Sequence, residues 1–127
     1  MIAGLDHVQL AMPPGEEAAV RAYCTDVLCL TEIDKPASLA ERGGAWFVLA
    51  DGRQIHYGVE SGFQPNHKAH PALVADDLDE LAARLNGAGY PVSWDEALAP
   101  RRRFYSSDPF GNRLEFMEKL EGNKANE

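Results

Sequence analysis

The chain has 127 residues, 45% of them hydrophobic and 25% charged, a balance that excludes a disordered or low-complexity polypeptide and allows a real core without disulfides or structural metal. Its net charge of −8 excludes general nucleic-acid binding, which needs a surplus of Lys and Arg to neutralise phosphates. No positive N-terminal region leads into a long apolar run, and no stretch approaches the ~20 apolar residues that cross a bilayer, so a cytoplasmic protein with no membrane partner is expected.

From Gly4 to Met12 the side chains alternate, Leu5, His7, Gln9 and Ala11 on one face and Asp6, Val8, Leu10 and Met12 on the other, which predicts a strand closed by Pro13-Pro14-Gly15. Helical spacing of Ala19, Val20, Tyr23, Val27 and Leu28 follows, with Glu16 and Glu17 at the end where a helix favours negative charge. Cys24 and Cys29 fall in or just after this segment. Two cysteines there make neither a disulfide framework nor a zinc pair and are read as reduced packing residues. A short strand over Leu30–Ile33 leads into a polar excursion ending at Gly43-Gly44. Strands over Ala45–Ala50 and Gln54–Glu60 flank the hairpin turn Asp51-Gly52.

Ser61 to Lys68 has the composition of a linker, and after it the order repeats. A strand is expected over Ala69–Ala75, then a helix opened by the capping box Asp77-x-x-Glu80, with Leu78, Leu81, Ala82 and Leu85 inward and Gly87 and Gly89 to stop it. Strands over Tyr90–Trp94, Arg103–Ser107 and Asn112–Glu118 complete the half, the last two joined by the turn Asp108-Pro109-Phe110-Gly111. The tail over 119–127 is polar and expected to fray.

The duplication reaches single residues. Gly52 precedes His56 by four positions, as Gly111 precedes Glu115, and each of these side chains is flanked by apolar strand residues. His7 and His70 occupy matching places upstream. A lone strand histidine is more often packed or solvated than ligating, and His67, in a polar loop, is read as solvated. Metal-capable residues at duplicated positions reverse those odds. An inward carboxylate between Leu114 and Phe116 would also be costly to bury without a cation or partner. Arg101-Arg102-Arg103 is either a solvated strand entrance balancing the acids or a receiver of an anionic substrate group. Lys68 and Arg42 could assist such a group. Trp46, Phe47, Tyr57, Phe104, Tyr105 and Phe110 are either core or, where in phase with His56 or Glu115, substrate contacts.

The order βαβββ–βαβββ, the phrases Leu5-Asp6-His7-Val8-Gln9-Leu10 and Tyr23-Cys24-Thr25-Asp26-Val27-Leu28-Cys29-Leu30, and above all Asp108-Pro109-Phe110-Gly111-Asn112-Arg113-Leu114-Glu115 resemble the vicinal oxygen chelate superfamily. That group includes glyoxalase I, methylmalonyl-CoA epimerase, extradiol dioxygenases and the fosfomycin and bleomycin resistance proteins. The resemblance covers residues 3 to 118. It implies an α+β fold, one glyoxalase-like domain whose tandem βαβββ modules, 3–60 and 69–118, form a curved, partly closed mixed sheet around a metal-binding cavity, and a homodimer.

The resemblance further implies a divalent ion (Zn, Ni, Fe or Mn) held by His7, His56, His70 and Glu115, and a substrate contacted by Trp46, Arg103 and Tyr105. His7, His70 and Glu115 match the two-His, one-carboxylate set of the dioxygenases and fosfomycin resistance proteins. His56 departs from glyoxalase I, where a glutamate is usual, and three roles stay open for it: fourth ligand, acid/base group beside an open metal position, or cavity-lining side chain hydrogen-bonded to protein. The implied activity is of lyase, isomerase or epimerase type on vicinal oxygens of a small, conceivably anionic substrate, with His56 or Glu115 moving a proton. The alternatives are an extradiol-type dioxygenase and a metal-free protein that sequesters a drug or metabolite.

Overall fold

Alternation along the first segment produces β1 (His7–Met12), with Leu10 and Met12 buried and His7 and Gln9 exposed on the other face. The computed structural model describes residues 1–120, so the frayed tail expected over 119–127 lies outside the described residues from 121 onward. The chain divides into two compact units, Met1–Pro65 and Asn66 onward, each one βαβββ module.

In the first unit α1 (Glu17–Arg21) buries Val20, then widens into a π-helical turn over Ala22–Val27 that buries Tyr23 and Cys24. A single regular helix was expected there. The Thr25 hydroxyl donates to the Arg21 carbonyl at 2.5 Å, a back-bond that competes with the helix ladder, and Leu28 N–H reaches back five residues to Tyr23. Strands β2 (Thr31–Ile33), β3 (Ala45–Val48) and β4 (Gln54–Val59) follow. The polar excursion between β2 and β3 holds a 3₁₀ helix, Ala37–Arg42. Pro36 presets the entry with φ −54°, and its carbonyl accepts from Leu39 N–H at 2.9 Å.

At the end of that excursion Gly44 has φ +82°, and a Cβ there would lie 2.0 Å from the Tyr57 carbonyl oxygen, so only glycine fits. Its N–H donates to Glu17 Oε2 at 2.8 Å, and this bond holds the Glu17 carboxyl below its ordinary range.

The strand order is β1-β4-β3-β2, with β1 parallel to β4 and the other pairs antiparallel. Leu10, Met12, Phe47, Ile55 and Tyr57 form the buried side together with Val20 and Tyr23. The opposite face carries Gln9 level with His56, and His56 level with Trp46.

The second unit repeats the topology as β5 (Ala72–Ala75), α2 (Leu78–Gly87), β6 (Ser93–Asp95), β7 (Arg103–Ser107) and β8 (Arg113–Glu118), in the order β5-β8-β7-β6. Asp77 caps α2 by accepting from Glu80 N–H at 3.0 Å. Gly87 remains helical, whereas Gly89 at φ +91° ends the helix. β5 and β6 are two or more residues shorter than the pattern predicts. Pro71 has no N–H to enter a ladder, so β5 starts at Ala72 and His70 stands just ahead of it. Tyr90 N–H closes α2 on the Leu85 carbonyl and Pro91 follows, so β6 starts at Ser93. Leu85, Phe104, Leu114 and Phe116 are the centre of this unit's core.

Candidate functional site

The two hairpins that carry His56 and Glu115 are built alike. Leu49 N–H donates to the Arg53 carbonyl and Gly52 N–H to the Leu49 carbonyl; Asp108 N–H donates to the Asn112 carbonyl and Gly111 N–H to the Asp108 carbonyl. The glycines have φ +90° and +91°. Each turn therefore delivers the residue four positions on to the polar face of its sheet.

On the first sheet His56 is 4% exposed, although it belongs to that polar face. Trp46 covers one side of its ring, with centroids 3.8 Å apart and planes 5° apart, and His7 covers the other at 4.1 Å and 15°. Gln54 Oε1 accepts from His56 Nε2 at 2.8 Å. Burial, and then the neighbouring His7, hold the His56 pKa below the ordinary 6.5, so its ring is neutral at pH 7. His7, half-exposed, turns Nδ1 to Asp6 Oδ2 at 2.9 Å. A carboxylate on Nδ1 keeps the proton there and leaves the Nε2 lone pair for a cation.

On the second sheet the arrangement is ionic. Glu115 is 5% exposed; Oε1 lies 3.0 Å from His70 Nε2, and Oε2 accepts from Arg103 Nη1 at 2.9 Å. Burial pushes its carboxyl pKa up, but the bonds from His70 and Arg103 outweigh that and hold it below 4.5. Arg103 also reaches Asp95 Oδ1 at 3.5 Å. His70 Nδ1 donates to the Lys68 carbonyl at 2.7 Å, and the Tyr105 ring meets the imidazole edge-on at 5.5 Å. Arg102 forks onto Asp79 through two bonds and Arg101 donates to the Glu118 carbonyl, so all three consecutive arginines have partners within their own unit.

The candidates stand as two pairs, His7 with His56 and His70 with Glu115. Among the described residues no three His, Cys, Asp or Glu side chains gather as a metal centre. The supporting residues Asp6, Gln54 and Asp95, and Arg113, which joins Arg103 over the Tyr105 ring, escaped the reading of the sequence. Alternation in phase with His56 and Glu115 places Gln54 and Arg113 on the polar faces, and that signal was available.

The chain aligns over 94% of its length with 98% of the crystal structure of a glyoxalase family protein from Bacillus anthracis, at 45% identity and a TM-score of 0.89. The chain belongs to the glyoxalase family. As a glyoxalase family chain it lies within the vicinal oxygen chelate superfamily. Two more distant structures share its fold: fosfomycin resistance protein FosX from Listeria monocytogenes (19% identity, 98% of this chain and 99% of that one, TM-score 0.74) and lactoylglutathione lyase from Agrobacterium tumefaciens (20%, 92% and 94%, 0.70). No family model and no curated protein matches this glyoxalase family chain. Among its described residues no helix is long and apolar enough to cross a membrane.

Proposed function

We propose that the protein is a metal-dependent enzyme of lyase or isomerase type acting on a small substrate with two adjacent oxygens. The observation that carries this reading is the His70–Glu115 pair. His70 donates Nδ1–H to the Lys68 carbonyl, which turns its Nε2 toward Glu115 Oε1 at 3.0 Å. Such a contact requires a cation between the two atoms, either a proton or a metal ion. Two donors at right angles on an octahedral ion, each about 2.1 Å from it, would be about 3.0 Å apart, so the pair would fit such a divalent metal.

Neutral imidazole and carboxylate suit zinc, nickel, iron or manganese. His70 and Glu115 are the proposed ligands in the second unit, and in the first His7, prepared by Asp6, is a ligand-capable side chain. When bound, the ion supplies Lewis-acid stabilisation of negative charge developing on substrate oxygen. Arg103 keeps Glu115 ionised and fixes its orientation. His56 holds its proton on Nε2 against Gln54, which leaves Nδ1 as the basic atom of a neutral ring, and we assign it proton transfer.

Metal analysis of protein purified without chelator tests the proposal, together with the rise in Tm on adding a divalent ion. His70→Ala and Glu115→Ala are each expected to lose the ion while the circular dichroism of the fold persists. His56→Ala is expected to keep the ion and lose turnover. No stoichiometric divalent ion, and no change in Tm on adding one, would overturn the reading.

A further inference from the structure

The polar face of β6, β7 and β8 opens into a cleft of about 260 Å³ lined by His67, Ser93, Tyr105, Ser107 and Arg113. Arg103, on the same face, already binds two carboxylates. Arg113 is different: among the described residues it forms no ion pair. Its guanidinium lies over the Tyr105 ring, 3.8 Å from the centroid, and its hydrogen bond to the His67 carbonyl is long, 3.4 Å. The ring fixes one face of the guanidinium without using its N–H groups, which leaves the fork for an acceptor. Ser93, Ser107 and His67, residue types able to donate, also line the cleft.

Arg113 and Glu115 are two residues apart on one strand face, about 7 Å at ~3.4 Å per residue. An anion on Arg113 is thus within one small molecule's length of Glu115. We propose that this cleft binds an oxyanion group, carboxylate or phosphate-like, of the substrate, with Arg113 as its two-pronged anchor and Tyr105 as the plate that orients it. The assignment of the anion to a substrate rests on the metal-dependent reading of His70 and Glu115; the cleft itself does not.

Calorimetric titration of inorganic phosphate and of acetate into chelator-treated protein tests the cleft, with metal uptake measured separately. Wild type should bind at least one probe saturably. Arg113→Gln should weaken that binding about tenfold or more, because the charge and the fork are both lost. Arg113→Lys, which preserves charge and disturbs the fold least, should weaken it severalfold, and Arg53→Gln, an exposed arginine of the other unit, should leave it unchanged. No saturable binding to wild type, or equal binding to wild type and both Arg113 variants, overturns the proposal. Arg113-dependent binding in a protein that takes up no metal sustains the cleft and removes the metal reading alone. Normal metal uptake with Arg113-independent anion binding does the reverse.

Discussion

The hairpins β3–β4 and β7–β8 share a backbone and differ in physics. In the first, His56 lies between two flat rings, uncharged, and its single side-chain hydrogen bond is to an amide. In the second, Glu115 is itself ionised and lies between the His70 imidazole and the Arg103 guanidinium. The turns differ in the same sense. Asp51 accepts from Arg53 at the surface, whereas Asp108, 4% exposed, accepts from Phe110 N–H, Asn112 N–H and Asn112 Nδ2 at 2.9 Å each. One scaffold therefore supports a dispersion-held site and a charge-held site. The second is the more expensive to disturb, since truncation strands a buried charge.

Substitution at the two facing positions gives the largest test of that difference. Glu115→Ala should cost about 4 kcal/mol in urea unfolding of metal-free protein, because Arg103 loses its main partner in a poorly solvated place. His56→Phe should cost under about 1 kcal/mol, since a ring of similar size still fills the gap between Trp46 and His7. Equal costs would show that the two sites are not held by different forces. The turns give the next effect. Asp108→Ala should cost about 2–3 kcal/mol through its unsatisfied buried N–H groups, and Asp51→Ala about 0.5 kcal/mol or less, both read from urea midpoints.

The smallest contrast concerns a carboxylate away from both pairs. Glu17 has its pKa lowered from 4.5 chiefly by the Gly44 N–H. A lowered folded pKa means that the unfolded chain binds the proton first as pH falls. The stabilisation by Glu17 is thus complete above about pH 4.5 and is lost as the pH drops through the lower folded value. Glu17→Gln should reduce stability by about 1 kcal/mol at pH 7, and the Tm curves of the two proteins should converge in acid. A gap that persists at low pH would refute the assignment.

Much of the fold was legible because it is local and repeated. Alternation marked β1, β4 and β8, the Asp77 cap marked α2, and the Gly-x-x-x spacing aligned His56 with Glu115. Less legible was anything set by competition between neighbours. The Thr25 back-bond that widens the helix and the Pro71 that shortens β5 act through single hydrogen bonds, which hydrophobic period does not record. The partners of the candidate residues were hidden for another reason. Trp46 meets His56, and Arg103 meets Glu115 and Asp95, only once long-range strand pairing has set their register. The arginine run shows the consequence: consecutive in sequence, its members have three different destinations.

The matched turns have an evolutionary consequence. Their shape comes from a glycine in the left-handed region, two main-chain bonds and an aspartate that accepts within the turn, with no contribution from the side chain four residues later. That position works as an interchangeable slot, in which a single codon change can replace imidazole by carboxylate without redirecting the chain. With the module present twice the chain has two such slots, and the reactivity of one can change while the other keeps its occupant.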